Sequence, residues 1–158
     1  MKLREWLDEW SMTSLKINIH FLELEWQPND HDRDAAWDLY IEMLTRVATQ
    51  HLEPEHGDES AALESIFSLF GLTRGVIKKQ GRHCIEFTKI AVVVLNQVIR
   101  PFTAKWHRIE KNSGFREEEN CRLFREELAT LQQKRRVYSK MLADMAGVED
   151  LTTLEETE

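Results

Sequence analysis

The chain has 158 residues, 42 % of them apolar and 31 % charged, with a formal net charge of −7; this describes one soluble domain large enough to bury a core without metal or disulfide staples. No apolar run approaches the ~20 residues a membrane span needs, and acids in MKLREWLDEW stand where a secretory signal has its apolar core, so a cytoplasmic protein without membrane association is expected. Cys84 and Cys121 fit buried free thiols.

Leu3, Trp6, Leu7 and Trp10 recur at helical spacing and predict a short amphipathic helix over residues 2–11. The period then changes. In LKINIHFLELEW, Leu15–Trp26, apolar residues alternate at 15, 17, 19 and 21 and, after a slip of one, at 22, 24 and 26. Alternation predicts a half-buried strand, and the slip a bulge. A lone strand leaves its backbone groups unpaired. Its partner would be a hairpin within residues 12–28, the segment Val148–Leu154, a second copy of the chain, or another protein.

Pro28 stops the strand, and Asn29 or Asp30 caps a helix running to about Gln50. Ala36, Tyr40, Met43, Leu44 and Val47 form its buried stripe, widened by Trp37 and Ile41. The sequence HLEPEHG, 51–57, reads as a loop. Its two histidines are not the one-turn pair of helical ligands, and Glu53–His56 spans Pro54 and cannot sit on a helix, so no metal or cofactor is expected. Asp58 caps the next helix, with Leu63, Ile66, Phe67 and Phe70 facing inward and Gly71 as its stop. Thr73 then opens a short helical turn to Gly81.

The segment Arg82–Lys111 is the longest apolar stretch and predicts a central helix. Phe87, Ala91, Val94, Leu95, Val98 and Phe102 make one stripe, and Ile85, Val92 and Ile99 a second face, as in a helix packed all round. The β-branched run Val92–Val94 would suit a strand, but the apolar pattern continues for several turns beyond it. Pro101 predicts a kink or break, and Asn112–Gly114 an end. Over Phe115–Ala146, the residues Cys121, Phe124, Leu128, Leu131, Arg135, Tyr138, Leu142 and Met145 step by threes and fours as a heptad seam. Arg135 is the one charge on it, placed to snorkel, to meet an acid, or to specify register. Gly147 ends the helix.

The expected architecture is therefore mainly all-α. It is an antiparallel four-helix-type bundle with helices near 31–50, 58–80, 82–111 and 115–146. Residues 1–147 form a single domain, with 1–28 as an extension of one short helix and one β-strand, and 148–158 a flexible acidic tail.

No glycine-rich phosphate loop, nucleophile elbow, HExxH or paired CxxC occurs. The leading expectation is a non-catalytic interaction or regulatory subunit that binds another protein or a second copy of itself. Trp6, Trp10, Leu15, Ile17, Ile19 and Phe21 would be the contact residues. So small a subunit suits a bacterial multi-protein complex, for instance one in defence. A second expectation is nucleic-acid binding. Residues 73–111 hold nine bases against Glu86 and Glu110, and Lys78, Lys79, Arg82, Lys89, Lys105 and Arg108 would contact phosphates. The same charge also suits attraction to the acids of the chain itself.

A third expectation comes from a resemblance. Arg46-x4-His51 and Arg100-x6-His107 are similar to the Arg-x(4–6)-His motif of the HEPN nucleases, which are also small helical bundles. The resemblance implies metal-independent RNA cleavage at a dimer interface, with His107 in acid–base work and Arg100 stabilising charge. That family usually has a polar residue after the arginine, where this chain has Val47 and Pro101. Without catalysis, Phe102 and Trp106 would simply anchor RPFTAKWH to the core.

Overall fold

The computed structural model describes residues 1–45, 58–112 and 114–155. The protein is all-α. Its helices are α1 (Leu3–Glu9), α2 (Ile19–Leu22), α3 (Asp30–Leu44), α4 (Glu59–Gln80), α5 (Ile85–Val94), α6 (Arg100–Asn112) and α7 (Glu118–Ala146). The loop 51–57 and the end of the helix predicted to Gln50 lie outside the described residues.

The expected strand is absent: no strand occurs among the described residues. Leu15–Trp26 is an irregular strap holding the single turn α2 and one isolated antiparallel bridge, Lys2 to Glu25. The physical reason is the pairing problem that a lone strand poses. Here the strap's polar groups are met from elsewhere. The Gln97 side chain accepts from Lys16 N at 2.8 Å and donates to Lys16 O at 2.7 Å. Asn18 caps α2 through His20 N, Leu3 N donates to Leu24 O, and Trp26 N to Met1 O.

α3 packs most extensively on α7 and next on α4, while α4 also lies against α6. The heptad seam of α7 is buried from Phe124 to Met145, with Cys121 half-buried at its start. Gly147, at φ 72°, takes the left-handed conformation that ends the helix. Phe102, Trp106, Phe115 and Phe124 form an aromatic cluster between α6 and α7, with neighbouring ring centroids 5.0–6.4 Å apart.

Three boundaries differ from expectation. α4 runs through Gly71 and Gly75 and stops only at Gly81, where φ is 69°. Its buried face is Leu63, Ile66, Leu69, Thr73 and Val76, while Phe67 is exposed. Small polar residues break its apolar runs, yet Glu59–His83 is long and apolar enough to cross a bilayer by length and composition. Pro101 does not interrupt the central helix. The turn before it, Leu95–Ile99, widens to a π-helix, which accommodates a ring that cannot donate to the preceding turn. Finally, the start of the acidic tail folds back: Leu151 N donates to Tyr40 Oη at 2.5 Å and Tyr40 Oη to Asp150 at 3.1 Å.

Arg135 does not snorkel, and it meets no acid among the described residues. It is 1 % exposed, and none of its three guanidinium nitrogens has a hydrogen-bond partner there. The Tyr138 and Ser139 hydroxyls beside it on the same helix face are also unpaired. Burial brings the Arg135 guanidinium down to about 9, so it stays charged at neutral pH.

Candidate docking groove

The strap and α5 enclose an apolar groove of about 360 Å³. On α5, Ile85, Thr88, Lys89 and Val92 fall at i, i+3, i+4 and i+7, one face over two turns. Ile17 and Phe21 form the opposite wall, and Leu3 reaches the groove from α1. Ile85 is 50 % exposed and Val92 43 %. This corrects the expectation of a central helix packed on all sides: of its second face, only Ile99 is buried. The strap adds Ile19, 67 % exposed, and Phe21, 43 % exposed.

The cations around this surface are already ion-paired, Lys2 and Arg4 sharing one carboxylate. Lys89 Nζ lies 2.8 Å from Glu86 and 5.7 Å from the Phe21 ring centroid. Lys2 and Arg4 each lie 2.8 Å from Glu23. Hydrogen bonds from Lys2 and then Arg4 hold the Glu23 carboxyl below its usual range. What the surface offers a partner is apolar area with a rim whose cations are paired within the chain.

The six residues anticipated as partner contacts divide in two. Trp6 and Leu15 are buried. Trp6 stacks on Trp26 at 4.7 Å between centroids and donates from Nε1 to Asp144 at 2.8 Å, so it anchors α1 to the body. Trp10 is half-buried against the core. Ile17, Ile19 and Phe21 reach the surface at the groove. Ile85 and Val92 were missed as surface residues, although their spacing was visible. The missed signal was a second apolar face on a helix whose chain has few elements left to cover it.

The basic residues do not gather into one patch. Lys79 pairs with Asp38 at 3.2 Å, Lys89 with Glu86, and Lys105 with Glu127. Lys78, Arg82 and Arg108 are exposed, but Arg82 and Arg108 sit at opposite ends of the central helical run, roughly 35–40 Å apart at 1.5 Å per residue. Arg100 and His107 lie two turns apart on one side of α6. The Arg100 guanidinium bonds to Asn96 at 3.1 Å and stacks 4.9 Å from the Phe70 ring. His107 lies 3.4 Å from Glu64 and edge-on to Phe67 at 4.9 Å. The pair Arg46 and His51 lies outside the described residues. No group of three or more metal-ligating side chains occurs among the described residues.

No protein-family model matches this chain, and no curated protein or solved structure shows significant similarity to it.

Proposed function

We propose that the chain is a non-catalytic helical interaction subunit of a cytoplasmic, bacterial multi-protein complex. In this reading its scaffold is an antiparallel four-helix-type bundle, and it receives the apolar face of a partner's amphipathic helix in the groove between the strap and α5. The observation that carries this reading is the cluster of exposed Ile19, Phe21, Ile85 and Val92 around an apolar groove whose flanking cations are paired within the chain. A charge-driven ligand would need those cations free. A helix suits the groove because its α5 wall offers one face over two turns, and a strand would need a free sheet edge.

Val92→Glu places a carboxylate in that wall, where burying it unpaired is costly. It is expected to weaken partner binding by about 100-fold or more, nearly 3 kcal/mol, without altering the helical spectrum. A photo-crosslinker at Val92 in the native host should capture one helical partner peptide, and one at Arg116 should not. Self-crosslinking with a doubled mass in light scattering would make the occupant a second copy. A lone monomer that crosslinks to nothing would overturn the reading.

A second reading rests on the exposed side of α6. There Arg100 and His107 share one face beside Phe70 and Phe67 of α4, the arrangement an arginine–histidine nuclease pair would need. That reading expects the pure protein to cleave RNA in the presence of a chelator and to lose the activity in Arg100→Ala and His107→Ala. Cleavage that survives both substitutions would end it, and so would none at all. Simple nucleic-acid binding through Lys78, Arg82 and Arg108 would instead show as RNA retention that falls steeply with salt.

A further inference from the structure

On the other side of the strap lies a larger pocket of about 720 Å³, independent of the docking groove. Its walls come from residues 10–16, where α1 runs into the strap, from the π segment and from α7. Two of those walls carry unusual backbone. Ser11 has φ 54°, the one non-glycine residue with positive φ among the described residues. Leu95–Ile99 is π-helical, and from it Gln97 holds the Lys16 backbone by two hydrogen bonds. Left-handed non-glycine residues and π-bulges are unfavourable locally, and both concentrate at functional sites.

The side-chain charge of the lining is of one sign only. Lys16 and Lys134 border the pocket, and neither has an ion-pair partner among the described residues. No acid among the described residues lines it, although the chain holds 28 Asp and Glu against 21 Lys and Arg. Ser14 and Gln133 add donors, while Met12, Leu15, Val98 and Val137 supply apolar wall. The indole N–H of Trp10, another lining residue, is buried without an acceptor.

We propose that this pocket binds a small organic anion, its charged head held by Lys16 and Lys134 and its apolar body against Leu15, Val98 and Val137. The volume lies within the range of small-molecule sites, about 300–1,000 Å³. Two cations facing no carboxylate on an acidic protein form a local positive field that selects for negative charge. The apolar wall excludes bare inorganic ions as the best ligands, because it would desolvate them without return. The ligand class is therefore a carboxylate, sulfonate or phosphate ester on an aromatic or aliphatic body.

A matched pair of fluorescent probes tests this. Anilinonaphthalene sulfonate carries the anionic head, and N-phenylnaphthylamine has the same apolar body without it. The sulfonate should bind the folded chain saturably at one site, at least about tenfold tighter than the neutral probe. The double variant Lys16→Gln/Lys134→Gln should erase that preference while keeping the neutral probe's affinity. Val92→Glu, across the strap in the docking groove, should leave both affinities unchanged. Val98→Trp, which fills the pocket, should abolish both. Equal binding of the two probes overturns the proposal, as does a preference that survives the lysine substitutions or is lost with Val92→Glu.

Discussion

Replacing Arg135 by methionine is expected to stabilise the protein, by about 2–4 kcal/mol, which for a domain of this size raises Tm by about 2–4 °C per kcal/mol. The expected sign is unusual, since most core substitutions destabilise. It follows from the surroundings. The guanidinium is 1 % exposed and has no hydrogen-bond partner among the described residues, and the hydroxyls of its neighbours Tyr138 and Ser139 are likewise unpaired there. Methionine keeps most of the side chain's volume and removes the charge. The pH dependence gives a second readout. Burial holds the folded-state value down to about 9, well below that of the unfolded chain, so from about pH 9 upward the unfolded chain binds the extra proton. The wild type therefore gains stability as pH rises through that window, while Arg135→Met does not. The gap between their urea midpoints should be full below pH 9 and should narrow above it. A constant gap, or a less stable variant, would show that Arg135 is solvated in a way the structure does not contain.

How much of this was legible in the sequence depends on where each residue's partners lie. The α7 seam was readable because a heptad repeat needs only its own helix, and Phe124 through Met145 are buried as the spacing requires. The cap at Asp58 and the stop at Gly147 were readable for the same local reason, and the cap of α3 was narrowed to Asn29 or Asp30, of which Asn29 takes the role. The strap was not. Its alternation satisfied a strand template, but the group that settles its backbone is Gln97, 81 residues from Lys16. Pro101 announced a disturbance of the central helix, yet whether it kinks, breaks or widens depends on the packing around residues 95–99. The groove was half visible: Ile17, Ile19 and Phe21 were marked as contacts, but Ile85 and Val92 were assigned to the core, because apolar spacing shows a face without showing whether anything covers it. The pocket combines Trp10, Gln97 and Lys134 from three distant stretches, and no local pattern joins them.

The second large effect is expected at Asp32, with the opposite sign from Arg135. Asp32 is fully buried, and no cation pairs with it among the described residues. Its carboxylate is nevertheless well solvated. Oδ2 accepts from Asn29 N at 2.8 Å, closing the capping box of α3, and Oδ1 accepts from Phe87 N at 2.9 Å in the first turn of α5. One side chain thus satisfies orphan donors at two helix N-termini and places its negative charge near the positive end of both dipoles. Asp32→Ala leaves the Phe87 amide buried without an acceptor and opens the capping box, a loss of about 3 kcal/mol, or roughly 6–12 °C in Tm. Asp32→Asn should lose about half as much, since its amide keeps one acceptor oxygen but turns an NH₂ toward the other donor. Asn29→Ala, which removes the local cap and the exposed hydrogen bond from Nδ2 to His83 O but keeps the Phe87 amide paired, should cost about 1 kcal/mol. If all three variants melt together, the tie between α3 and α5 carries no weight of its own. If they separate in the order Ala, Asn, cap, the difference between the two buried charges is one of partners: Asp32 stabilises because backbone amides replace the water it gave up, and Arg135 destabilises because nothing does.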